Sequence, residues 1–104
     1  MASPINGDSI SNEELLELHN ALLLVLRMIG SRALQYGLQY HASVVFDEII
    51  PMVEYLDHGS ALERLREIRG GAGMLIDSIN RVEFILHYLG PHHNMRERFP
   101  YHNS

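Results

Sequence analysis

The side chains that could do chemistry are plentiful but scattered. Seven histidines stand among 104 residues, with thirteen acids, eight arginines, no lysine and no cysteine. Without thiols there is no disulfide, no thiolate metal site and no cysteine nucleophile. Imidazole is then the available transition-metal ligand, and His87, His92, His93 and His102 gather towards the C-terminus. A zinc or nickel site needs three or four fixed ligands, usually with some at helical spacing. The adjacent pair His92-His93 points its rings apart in most backbones, so these residues imply no metal site. A histidine-based metal-binding bundle stays open as an alternative.

Acid–base catalysis has equally little to stand on. Glu13, Glu14 and Glu17 fall in the opening turns of a helix, where the helix dipole accounts for them. Glu63 with Arg66, and Asp77 with Arg81, have the spacing of pairs along one helix face. No phosphate loop, nucleophile elbow or His-Glu-x-x-His spacing occurs. The expectation is a protein that is not an enzyme, with no catalytic residue and no cofactor.

The net charge of −5 argues against a general affinity for nucleic-acid phosphates or anionic lipid. Residues 1–59 hold eight acids against two arginines, and residues 60–104 five acids against six arginines. The first half is thus a possible acidic face for a basic partner, or an ordinary set of solvated helix faces. Arg64, Arg66 and Arg69 form a basic group, but Glu63 and Glu67 lie between them and leave the local field near neutral. Direct nucleic-acid binding is not expected. The apolar run Ala21–Leu26 is far short of a membrane span. The first ten residues have neither a basic start nor an apolar run, so no secretory signal is visible and a cytoplasmic location is expected.

The elements that must position these groups read as helices throughout. Residues 1–10 form a flexible lead. Ser11-Asn12-Glu13-Glu14 is a capping box. It opens a helix over about 12–40, where Leu15, Leu18, Leu22, Val25, Ile29 and Ala33 line one face. Leu16, Leu23 and Leu26 form a second row, and Leu24 and Met28 a third, so this helix is apolar nearly all round and must be covered on several sides. A second helix, about 42–57, carries Val45, Ile49, Met52, Val53 and Leu56. Pro51 predicts a kink or break near Ile50, and Gly59 suits the left-handed position beyond the helix end.

Ser60-Ala61-Leu62-Glu63 reads as a second capping box, opening a helix over about 61–89. Leu65, Ile68, Ala72, Leu75, Ile79, Val82, Leu86 and Leu89 follow the 3-4 alternation of a heptad seam, used as core or for self-association. Gly70, Gly71 and Gly73 interrupt it, at a cost of about 2–3 kcal/mol if exposed in a helix. Either the helix breaks there or the glycines admit a close helix approach. The unbroken register favours one helix with a close approach. Gly90-Pro91 is a stop signal, and residues 91–104 form an irregular tail able to dock through Phe99 and Tyr101. The prediction is an all-α, three-helix bundle in one domain, 11–90, completed by homodimerisation.

Beyond the seam, Met74, Ile76, Phe84, Ile85 and Tyr88 make a second apolar side of the last helix, and Ile76, Phe84, Ile85 and Tyr88 are the expected protein interface. With catalysis and nucleic acid set aside, protein binding is the predicted activity. A helical adaptor, an assembly subunit or a chaperone-like protein would show the same features.

Two stretches, NALLLVLRMIGSRALQYGLQYH (20–41) and ALERLREIRGGAGMLIDSINRVEFILHYLG (61–90), resemble the small helical antiactivators of bacterial quorum sensing, most of all those of pseudomonads. The likeness covers about half the chain and rests on size, acidity and helical organisation rather than a signature motif. It implies a cytoplasmic homodimer that binds a LuxR-type transcription activator and keeps it from dimerising or engaging its promoter. It carries no catalytic residues to this chain.

Overall fold

Ser11 starts the fold as expected. Its hydroxyl accepts the Glu14 amide at 3.1 Å, and the Ser11 amide donates back to the Glu14 carboxylate at 3.0 Å. In this computed structural model, which describes the backbone of residues 11–92 and side chains to residue 89, every regular element is helical. Helix α1 spans Asn12–Gln35. Helix α2 (Gln39–Val44), a π turn (Val45–Ile49) and helix α3 (Ile50–Glu54) follow one another as one rod. Helix α4 is His58–Arg69, a 3₁₀ turn covers Gly73–Leu75, and helix α5 is Ile76–His92. The described residues therefore form four rods rather than three.

The extra rod comes from the glycines. Gly71 and Gly73 take positive φ values of 81° and 60°, and Gly70 is extended, so the expected helix 61–89 splits into α4 and α5. A Cβ at Gly70 or Gly73 would meet nothing within 4 Å, and one at Gly71 would touch only the His41 ring at 3.9 Å. Conformation is what these glycines supply, since no neighbouring helix presses on them. The close approach lies instead at Gly30 in α1, where a Cβ would stand 2.6 Å from the Phe46 ring.

Other boundaries move for local reasons. Helix α1 stops at Gln35 rather than near residue 40, because Gly37 (φ 77°) closes a two-bond cap: Leu38 N–H to Ala33 O at 2.8 Å and Gly37 N–H to Leu34 O at 3.1 Å. The second rod ends with the same cap, Asp57 N–H to Met52 O and Leu56 N–H to Val53 O, but Leu56 holds the left-handed position (φ 64°) and Gly59 lies inside α4. The N-cap of α4 is Asp57, whose carboxylate accepts the Ser60 amide at 3.2 Å, so the expected Ser60–Glu63 box does not form. Pro51 does not break its rod. The five-residue π turn just before it widens the backbone, and Ile50 N–H bonds to Val45 O. A widened turn accommodates a ring that would otherwise press on the carbonyl four residues back. At the far end α5 runs through Gly90-Pro91 to His92, since a proline in a last turn forfeits a single backbone bond. The lead, 1–10, and the tail from His93, with Phe99, Tyr101 and His102, lie outside the described residues.

All rods share one core. The seam residues Leu65, Ile68, Ala72, Leu75, Ile79, Val82, Leu86 and Leu89 are all buried within the single chain, together with Leu15, Leu22, Leu26 and Ile29 of α1. The doublets Val44-Val45 and Ile49-Ile50 are buried too, because the π turn rotates the inward face by one residue. Among the described residues, no helix is long and apolar enough to cross a membrane.

Candidate interaction surfaces

Four arginines, Arg27, Arg64, Arg66 and Arg69, are spent on holding the rods together. Arg64 of α4 donates to both carboxylate oxygens of Glu48 in the π turn, at 2.7 and 3.2 Å, to Glu67 at 2.7 Å and to the Tyr40 hydroxyl at 3.3 Å. These bonds hold the Glu48 carboxyl below its usual range and the guanidinium still more firmly charged. Arg66 and Arg69 both reach Glu83 of α5, at 2.7 and 2.6 Å, and hold that carboxyl low against the opposing effect of burial. Arg27 of α1 meets Glu54 of α3 at 3.3 Å. Arg66 therefore crosses to α5 instead of pairing with Glu63 along its own helix. Arg81 makes no ion pair among the described residues, so the expected pair with Asp77 is absent. The Arg64–Arg66–Arg69 group is a set of inter-helix clamps, with its donors turned to acids of this chain.

Two histidines go inside. His19 of α1 and His58 at the start of α4 are both buried, their rings edge to face with centroids 5.8 Å apart. Among the described residues, the buried His58 Nε2 has no hydrogen-bond partner. Burial, and then the neighbouring His19, push its pKa down to about 4, with Asp57 pulling the other way. Nothing in the sequence marked these two histidines, because the apolar period that would place them on inward faces is carried by leucines. His41 of α2 donates from Nε2 to the Gly70 carbonyl at 3.4 Å and so ties the glycine corner to the second rod. His87 is exposed on α5. Among the described residues, no three of His, Cys, Asp and Glu stand together as a metal-binding group.

The expected interface residues Ile76, Phe84, Ile85 and Tyr88 differ in exposure. Phe84 is 72% exposed and points away from the buried stripe of α5. Tyr88, one turn on, lies partly buried at the edge of the core, as does Ile85. Ile76 and Ile85 are nine residues apart in a helix, which sets them on opposite flanks of that stripe. The outward face is thus Asp77, Arg81, Phe84 and Tyr88, at spacings of four, three and four. Met74, in the preceding 3₁₀ turn, is also exposed.

A second apolar exposure lies on α1, where Leu24 and Met28 stand outward at 63% and 53%. With Arg27, Ser31, Arg32 and Gln35 they line a shallow open depression. Sequence reasoning saw these as a third apolar row that a neighbouring helix must cover. The fold leaves them uncovered. No family model, curated protein or solved structure matches the chain.

Proposed function

We propose that this chain is a protein-binding regulator whose partner-facing anchor is the outer side of α5, centred on Phe84. The observation that carries this is the pairing of an exposed aromatic, Phe84, with Arg81, a guanidinium that makes no ion pair among the described residues, one turn away on the same face. Aromatic and arginine side chains are what the centres of protein interfaces use. Glu83 beside it is committed to the clamp with Arg66 and Arg69, while Asp77 is exposed on the same face, one turn before Arg81. The resemblance of residues 20–41 and 61–90 to quorum-sensing antiactivators supplies the partner class: a cytoplasmic LuxR-type transcription activator, bound so that it cannot dimerise or engage DNA.

The test is a titration of the purified chain into a LuxR-type activator bound to its promoter fragment, following the DNA-bound fraction. The expected result is displacement by the wild-type chain and at least about tenfold weaker displacement by Phe84→Asp. Circular dichroism of that variant should stay that of the wild type, since Phe84 contributes little to the core. Unchanged promoter occupancy with the wild-type chain would remove the activator as partner. Full displacement by Phe84→Asp would move the anchor off α5.

A further inference from the structure

The outer face of α1 carries a heptad that the fold leaves without a partner. Glu17, Ala21, Leu24, Met28, Ser31 and Gln35 follow spacings of 4, 3, 4, 3 and 4, and all six are exposed. This is the period of a helix-pair seam. It lies opposite the stripe Leu15, Leu22, Leu26, Ile29 and Ala33 that faces the core. Its apolar members, Leu24 and Met28, stand at its centre, and polar residues close it at both ends.

The order of these side chains is self-complementary in one direction only. With two α1 helices antiparallel and Leu24 opposite Met28 of the other copy, Ala21 faces Ser31 and Glu17 faces Gln35. The central layer is then apolar, the next is small against small, and the outer one sets a carboxylate against an amide donor. Arg32 makes no ion pair among the described residues and would come within one turn of Glu17 of the other copy. The two Arg27 side chains would meet near the axis, each already balanced by Glu54 of its own chain at 3.3 Å. In a parallel pair, Glu13, Glu14 and Glu17 would each face their own copies, like charge against like. We infer that the outer face of α1 is a self-association surface, occupied by α1 of a second copy running antiparallel. This places the twofold on a different rod from the Arg81–Phe84–Tyr88 face, which stays available for another partner. A closed twofold contact of this kind is isologous, as homodimers commonly are.

The test uses the full chain. Sedimentation equilibrium should show a concentration-dependent dimer, weakened at least about tenfold by Leu24→Glu or Met28→Glu with helicity unchanged. Glu17→Arg and Arg32→Glu should each weaken it, and the two together should restore it. Because the chain has no cysteine, a register test is direct. A Leu24→Cys chain mixed with a Met28→Cys chain should give the mixed disulfide under mild oxidation, while a Glu17→Cys chain should not cross-link to itself. A wild-type chain that stays monomeric up to about 100 µM, a dimer indifferent to Leu24→Glu, or preferential Glu17→Cys self-cross-linking would each overturn the inference. So would a monomer that needs Leu24 for activator binding, since the face would then belong to a foreign helix. The promoter titration with Phe84→Asp reports on α5 separately, so the two readings can fail independently.

Discussion

Single residues in this fold hold positions that their neighbours make costly to change. His58 is the clearest. Its pKa is about 4 in the folded chain against an ordinary 6.5, because burial and the adjacent His19 oppose its charge. As pH falls from 6.5 towards 4, the unfolded chain takes up this proton and the folded chain does not, so stability falls with pH across that window. At about 1.4 kcal/mol per pH unit, the loss reaches about 3 kcal/mol by pH 4. Above pH 6.5 the group contributes no slope. Urea unfolding between pH 7 and 4 should show this decline, and His58→Phe should flatten it. Persistence of the full slope in that variant would assign it elsewhere. Below pH 4.5 the lowered carboxyls of Glu48 and Glu83 add losses of the same sign, since they too bind a proton more readily in the unfolded chain. Gly30 is the second case. Alanine there gains up to about 1 kcal/mol of helix propensity but drives a methyl into the Phe46 ring. Gly30→Ala should therefore be at least about 1 kcal/mol less favourable in the wild type than in a Phe46→Ala background, as a double-mutant cycle would measure.

At the scale of elements, the decisive feature is the corner between α4 and α5. Gly71 sits at φ 81°, which costs an alanine about 1–2 kcal/mol, whereas Gly70 has φ −65° and open space around it. Gly71→Ala should thus lower thermal stability by about that amount, and Gly70→Ala should be neutral or raise it by up to about 1 kcal/mol. Equal effects at the two sites would mean that the corner is not held in this conformation. The eight-residue seam from Leu65 to Leu89 misled the expectation of one helix for an instructive reason. A 3-4 alternation reports which residues face inward, and the corner returns α5 to the core in the same phase, with Ala72 buried within it. Glycine count was the better signal, since two of the three adopt backbone angles that side chains rarely take. In the second rod, proline was legible as a disturbance. The π turn that absorbs it was not, because its signature is the pair of buried doublets, Val44-Val45 and Ile49-Ile50, which appear only once the inward face is known.

At the scale of the whole molecule, the rods share one buried cluster and are cross-linked by Arg64, Glu83 and the Arg27–Glu54 pair. They should unfold together. Helical ellipticity and tyrosine fluorescence are expected to report coincident transitions, as a small single domain does. Ile79, which is 1% exposed at the centre of the α5 stripe, should cost about 2–4 kcal/mol when cut to alanine, lowering both transitions equally. Separate transitions would show that the α4–α5 pair is a unit of its own. What the whole molecule leaves over is as informative as what it buries. Leu24, Met28, Leu34, Tyr40, Tyr55, Met74 and Phe84 all remain more than half exposed.

Much of the architecture follows from local order in the chain. The all-helical class, the Ser11 cap, the inward Leu15, Leu22, Ile29 and Ala33 of α1 and the seam residues depend on period and capping chemistry, which act within a few residues of each other. Leu18 and Val25, by contrast, end only partly buried, and Leu26 takes the inward place. Four things were decided only when the rods met: the break at Gly71, the Gly30–Phe46 crossing, the burial of His19 against His58, and the inter-helix routes of Arg64 and Arg66. Each of these depends on groups 16 to 39 positions apart, or on choosing between backbone states that are locally close in energy, and tertiary packing settles that choice. The same holds for the surface. A row of leucines says that something must cover a helix face. Only the folded chain shows that the Leu24–Met28 row stays exposed.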